Sequence, residues 1–336
     1  MENRKNMDPQ RLLRLYAHGE TNFTGFNLNG INLFGADLIK VVFKEANLTR
    51  ANLVLSYLNQ AVLTKADLES ANLSGSNLNY ANLMNANLHN ADFHGASLQN
   101  ADLRNANLTL ATFIDANLMN SDLRGVDLSG ANLSGACLVG ANLRKEARTY
   151  VAVMRGANLS RVDLRSTDLT GADLTGVNLS GANLTNATLR EANLTDANLS
   201  EAILNNTSLI SSNLSGANLK GASLINSQLA KSNFTKADMT DVNLQGAIMS
   251  LVKLNKAIMI RANLNGARLN KADLTRADLS NASLIDADLV ETYLARTNFS
   301  DANLTKAKLI RADISATNLA GAILEEAVMP DGTIYY

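Results

Sequence analysis

Three histidines, one cysteine and a scatter of carboxylates are the groups in this 336-residue chain with the types that chemistry uses. His89 and His94 stand one repeat apart, each just after a large apolar residue. On a five-residue repeat they point outward on neighbouring faces. A zinc ion needs donors converging at about 2 Å and further ligands that are missing here. Cys137 sits just before Leu138 with no basic neighbour in its repeat to lower its pKa. Asp122 with Asp127, and Asp168 with Asp173, flank glycine-containing corners as in calcium-binding β-rolls, but without the paired glycines of that repeat. No phosphate loop, nucleophile elbow or metalloprotease motif occurs. The expectation is a chain with no catalytic, cofactor-binding or metal residues, and not an enzyme.

What positions these groups is a period of five. Stepping by five from Phe23 meets a large apolar residue every time to Leu143, which makes 25 centres. A second run from Met154 to Met329 supplies 36 more. Of the 25 + 36 = 61 centres, 49 are Leu, 6 Phe, 5 Met and 1 Ile. Ala stands two before the centre in 41 of them, and Asn or Asp just before it in 40, so the unit is A(N/D)Lxx. Asn213 to Leu224, NLSGANLKGASL, shows it plainly. Apolar residues two apart with a polar one between put Ala and Leu on one side of an extended segment. The other two positions, rich in Gly, Ser, Asn and Thr, suit a corner. A helix is disfavoured, because a period of five advances about 500° and the centres drift round the cylinder. What is left is a coil of short strands and corners that stacks leucine on leucine, closing its core against neighbouring coils. Each buried centre contributes about 1.5–3 kcal/mol before entropy is subtracted.

This pattern resembles the pentapeptide-repeat proteins over nearly the whole chain, from about Thr21 to Met329. The resemblance implies an all-β solenoid, a right-handed quadrilateral β-helix with four units per turn and so about 15 coils. The sequence itself hints at four sides: Phe23 and Phe43, Phe93 and Phe113, and Met239 and Met259 pair at a separation of 20. The opening (LLRLYAHGETNFTGFNL) and the ending are similar to those of cyanobacterial members. Residues 1–20 form an N-terminal cap: Asp8 and Pro9 start a short helix to about Ala17, and Gly19 stops it. The first repeat run follows at 21–143, a register break at 144–153, the second run at 154–329 and a C-terminal cap at 330–336. In that cap Pro330, Asp331 and Gly332 make a turn over the final coil. At the break the step from Leu143 to Met154 exceeds two repeat units by one position, and an unshifted register buries Arg148. A one-residue bulge accounts for this, and so does a recognition loop or bend in which Tyr150 is an exposed contact.

Charge narrows the function. Thirty basic against 31 acidic residues give a net charge of −1, with no field to attract nucleic acid or an anionic membrane. No apolar stretch approaches the roughly 18 residues of a membrane span. A single cysteine and an N-terminus without an apolar signal segment point to a reducing, cytoplasmic compartment. Three classes remain: a protein-binding scaffold or regulator, which is the first reading; a nucleic-acid mimic acting on a type II topoisomerase, which the resemblance allows and the balanced charge disfavours; and an enzyme. The partner is a protein of unknown identity, a second copy included, with nucleic acid disfavoured.

Two outward surfaces stand out as candidate contacts. Phe34 and Val54 follow their centres at a separation of 20, with Leu55 and Tyr57 on the same coil as Val54. Such an apolar cluster marks a contact surface, or a site that the N-terminal helix covers through Leu12, Leu15 or Tyr16. With four units per turn, Lys236, Lys256, Arg276 and Arg296 also form one column of positive charge, which is either a solvated charge run or a site for an acidic partner or polyanion.

Overall fold

The computed structural model describes residues 7–145 and 151–336. They form two compact units, one ending at Asp173 and the other starting at Leu174, both built on the same plan.

That plan follows from where five backbone amides go. In the unit Ala217 to Gly221, the Asn218 amide donates to the Ala197 carbonyl of the preceding coil at 2.9 Å. The Leu219 amide donates to Asp238 of the following coil at 2.7 Å, and the Gly221 amide to Thr240 at 3.0 Å. The Ala217 amide closes a turn onto Leu214 at 3.1 Å. One amide is left, that of Lys220, and no backbone carbonyl takes it. The Asn218 side chain does, accepting through Oδ1 at 3.2 Å. The same five bonds recur in the first unit at Ala71 to Gly75, where Asn72 Oδ1 accepts from the Ser74 amide at 3.0 Å. The preference for Asn or Asp before each centre is therefore a backbone requirement, since an unpaired amide costs about as much as a lost hydrogen bond.

Each side of the coil holds one paired residue, and its partner lies four repeats away, as in Asn52 with Asn72 and Asn198 with Asn218. A return after every fourth repeat gives the coil its four sides. Corners are four-residue turns closed between the centre and the third residue after it, with positive φ at the second residue after the centre, as a type II turn demands. Forty-one non-glycine residues adopt this left-handed conformation among the described residues, which costs roughly 1–2 kcal/mol each for an L residue. The strain is held by the ladder bond that the same residue donates to the next coil, such as Lys256 to Thr275 at 3.1 Å.

Inside, centres and small residues are almost wholly buried between the first coil and the last. Phe93 stacks on Phe113 with centroids 4.6 Å apart, and Phe23 meets Phe43 at 5.9 Å, as their four-repeat spacing predicts. Where Ser or Thr replaces the small Ala, its hydroxyl donates to a nearby centre's carbonyl, as Ser56 does to Leu53 and Thr167 to Leu164, both at 2.7 Å. No buried side-chain polar atom among the described residues lacks a partner.

Helix α1, Pro9–Ala17, is capped by Asp8, which accepts from the Gln10 amide at 3.2 Å. It ends where the Gly19 amide returns to Tyr16 and the Glu20 amide to Leu15, with Gly19 at φ +93°. Leu12 is fully buried under it, and the Tyr16 hydroxyl donates to the Ile39 carbonyl at 2.7 Å.

Two expectations change. Across the register break the offset between stacked partners rises from 20, as at Asn32 and Asn52, to 26, as at Asn132 and Asn158. Asp127 with Val153 and Asn142 with Asp168 share the larger offset. Met154 is therefore the next step after Leu143, and that one step holds 26 − 20 = 6 extra residues, so a one-residue bulge does not describe it. Arg148 and Tyr150 lie outside the described residues. At the C-terminal end the turn at Pro330 to Gly332 forms, with the Gly332 amide on Met329 at 2.9 Å. The chain then runs antiparallel beside Val328 rather than over the coil, leaving Ile314, Leu319 and Leu324 half-buried.

Burying an unpaired carboxylate between stacked leucines costs several kcal/mol. Leu219→Asp should therefore unfold or aggregate the protein, and an unchanged thermal melt would place that side chain outside the core. A finer test concerns units with Ser before the centre. Where Asn follows the centre on the previous coil, the acceptor is borrowed from it: Asn205 Oδ1 takes the Ile225 amide at 3.0 Å and the Ser223 hydroxyl at 2.7 Å. Asn205→Ala should lower stability by about 1 kcal/mol. Adding Ser223→Asn should restore it, because the unit then carries its own acceptor; a double variant as unstable as the single one would refute the rule.

Candidate binding surfaces

The apolar cluster sits on a hydrogen-bonded frame. The Phe34 and Val54 amides, each the one left without a backbone acceptor, are taken by Asn32 and Asn52 Oδ1 at 3.2 Å, and Asn52 Nδ2 donates to Asn32 Oδ1 at 3.0 Å. The Gly35 amide donates to the Val54 carbonyl at 2.9 Å, which places Phe34 and Val54 on consecutive coils of one face. Leu55 takes the corner at φ +57°, and a Cβ built on Gly75 would stand 2.8 Å from its Cδ2, so the side chain lies over that glycine. Tyr57 begins the next face. Phe34 is 61% exposed and Leu55 and Tyr57 are each 53% exposed, while Val54 is half-buried. Helix α1 leaves them open: its buried contact is Leu12, and Tyr16 reaches Ile39 instead.

In the second unit Lys236, Lys256, Arg276 and Arg296 occupy one corner on successive coils, with φ between 59° and 61°. Their amides donate to Asn255, Thr275, Ala295 and Ser315, and all four side chains are exposed. Each of the other corners of this unit brings opposite charges together on neighbouring coils. Arg261 pairs with Asp241 at 2.6 Å, Glu291 lies between Lys271 at 3.3 Å and Arg311 at 3.4 Å, and Lys306 meets Glu326 at 3.7 Å.

The first unit carries a charged ladder that reading by motif passes over. Arg104 binds Asp102 at 2.6 Å and approaches Asp122 at 3.7 Å, and Arg124 binds Asp122 at 2.6 Å. Its signal is the triplet D-L-R, which recurs at Asp163 to Arg165 with a 2.7 Å pair. Desolvation pushes the Asp102 carboxyl up, but hydrogen bonds from the Arg104 side chain and amide outweigh it and hold the pKa below its ordinary value. For Asp163 the hydrogen bond from Arg165 is the main cause of the same lowering.

The groups first considered for chemistry do not converge. His89 Nδ1 is 2.7 Å from Thr109 Oγ1, the His94 amide donates to Asp92, and His18 Nδ1 is 2.7 Å from the Arg14 carbonyl. Cys137 is a half-buried free thiol. Among the described residues no cluster of His, Cys, Asp and Glu is arranged to hold a metal, and no helix is long and apolar enough to cross a membrane.

A family model described as Pentapeptide repeats (8 copies) matches in overlapping segments across residues 19–144 and 152–325. The chain belongs to the pentapeptide-repeat family. Its fold is accordingly the right-handed quadrilateral β-helix. Among solved structures, the chain is similar to HetL, a pentapeptide-repeat protein involved in heterocyst differentiation regulation from the cyanobacterium Nostoc sp.. That match has 29% identity, covers 98% of this chain and 100% of HetL, and has a TM-score of 0.25. A trypsin-treated form of QnrB1, a plasmid-mediated fluoroquinolone resistance protein, matches at 22% identity over 66% of this chain and 88% of its own, with a TM-score of 0.25. Rfr23 from the cyanobacterium Cyanothece matches at 24% identity over 34% and 64%, with a TM-score of 0.20. No curated protein matches the chain.

The ladder makes a pH prediction with a definite sign. A carboxylate whose folded pKa is depressed adds stability above its unfolded value, near 3.8, and loses it as pH falls through the lower folded value. Arg104→Gln removes the main donor to Asp102. The stability gap between wild type and variant should therefore be widest near neutral pH and shrink toward about pH 3, as urea melts at both pH values will show. A gap independent of pH would mean that the guanidinium stabilises by packing alone.

Proposed function

We propose that this pentapeptide-repeat chain is a non-enzymatic scaffold or regulator that binds a protein partner. The observation that carries this reading is the cluster of Phe34, Leu55 and Tyr57, exposed side chains on a frame whose backbone bonds are already satisfied. Binding there buries aromatic and aliphatic surface without ordering new backbone, so little conformational entropy opposes it. A nucleic-acid mimic needs carboxylates free to face a partner. Here Asp102, Asp122 and Asp163 are neutralised by arginines, and many carboxylates before the centres are spent on turn amides. That favours the scaffold.

Phe34→Ser with Val54→Ser tests it. The double variant should retain the wild-type melting temperature, while losing proteins that the wild type retains from a native lysate, or losing self-association on a sizing column if the partner is a second copy. Equal retention and equal size in both proteins would remove the cluster as a contact surface.

A further inference from the structure

The geometry points to the corner column Lys236, Lys256, Arg276 and Arg296 as a docking edge for an acidic α-helix of a partner protein. This surface lies on the second unit, and the inference stands whether or not the apolar cluster of the first unit binds anything. Like charges stacked on neighbouring strands repel, and every other corner of this unit places opposite charges together on neighbouring coils. Only this corner repeats one sign on four coils running. The one acid on the column itself, Asp196, stands two coils before Lys236, with Gly216 between them, and leaves the contacts among the four cations unrelieved. Among the described residues no carboxylate makes a salt bridge to any of the four, and those on the flanking faces are already engaged. Asp238 binds Lys220 at 3.1 Å and accepts from Thr240. Asp273 accepts from Asn255 and from the Thr275 amide, and Asp278 from the Ser280 amide at 3.0 Å and Asn298 at 2.9 Å. Asp313 accepts from the Ser315 amide at 3.0 Å. The column is a self-repelling arrangement whose counter-charge has to come from outside.

Spacing selects the form of that counter-charge. Successive coils are about 4.8 Å apart, so the four cations span about 14 Å in a straight line. An α-helix brings one face round every 5.4 Å, and three turns cover about 16 Å, a misfit of about 2 Å that flexible Lys and Arg side chains absorb. Same-face residues of a strand are about 6.6 Å apart, and the misfit over four of them grows to about 5 Å. Phosphates of a duplex wind away from a straight edge within a few steps, so few of the four would be met at once. Beside the column, Thr235, Asn255, Thr275 and Ala295 are short and half-buried, leaving room for a helix to lie close.

The test uses the full chain and an alanine-based helical peptide with Glu at i, i+4, i+7 and i+11, a pattern that puts all four on one face. Fluorescence anisotropy should show it binding at least about tenfold tighter than a peptide of the same composition with its Glu spread round the helix, with affinity falling as salt rises. Lys256→Glu with Arg276→Glu should weaken binding at least about tenfold at an unchanged melting temperature, and a peptide with Lys in place of Glu should then bind the variant. Should that double variant fold poorly, Lys256→Asn with Arg276→Asn keeps the left-handed corner and should melt no lower than wild type while losing the peptide. Equal affinity for the two Glu peptides, tighter binding of a short DNA duplex than of the one-faced peptide, or peptide binding undiminished in the Asn variant would each overturn the proposal.

Discussion

A chain that turns a corner every five residues produces one amide per unit that no carbonyl can reach, and everything else here depends on how that amide is satisfied. Two amides join the coils above and below at the paired residue and its centre, one closes the corner and one ties the corner to the next coil. The remaining N–H points back across the turn to the side chain before the centre. Asn and Asp are the residues whose carbonyl or carboxylate acceptor lies three bonds from Cα, the length that meets an amide two residues on. A longer or apolar residue there leaves the amide to find another acceptor. Asn79, Asn205 and Asn265 are such acceptors, each supplied from the coil before to a unit that carries Ser.

Once the polar residue is committed, the inner positions have little freedom. A centre and a small residue per side fill a square core four sides round, and a hydroxyl in the small position is tolerated because a centre's carbonyl is within reach. The insertion between Leu143 and Met154 fits the same logic: Met154 takes the next side after Leu143, and the ladder resumes with its four-sided phase intact. A single extra residue inside the ladder would have turned Ala and Leu outward for every later unit.

The fold is therefore legible in the sequence to an unusual depth. The period, the small and large apolar alternation, the helix from Pro9 and the aromatic pairs four repeats apart are all local or strictly periodic signals. What is not legible is where a non-local acceptor does a local job. Ser97 gives no sign of depending on Asn79 until the two are known to stack, and the ladder of Arg104 and Arg124 requires knowing that residues four repeats apart touch. The insertion reads as a bulge in the sequence because spacing alone fixes only the remainder on division by five, whereas pairing fixes which coil receives the next centre. The apolar cluster is visible as a pattern, but its exposure is not, since that turns on where Leu12 and Tyr16 of α1 come to rest.

These constraints also determine where recognition can be encoded. The small residue and the centre are inside, and the residue before the centre is held by its hydrogen bond. The two corner positions vary without touching the ladder, and so does the position before the centre where it is not Asn or Asp, as at Tyr57; of the two corners the second is the more exposed, with its own backbone locked at positive φ. A corner column is therefore a row of side chains fixed at their roots, evenly spaced and free at their tips. Evolutionary change along it alters what the surface presents and barely alters the fold, provided each residue tolerates the left-handed conformation. Charge order along such columns is thus set separately from the fold. In the second unit the other three columns each bring opposite charges together on neighbouring coils, which is what stability alone would favour, and the column from Lys236 to Arg296 is ordered otherwise.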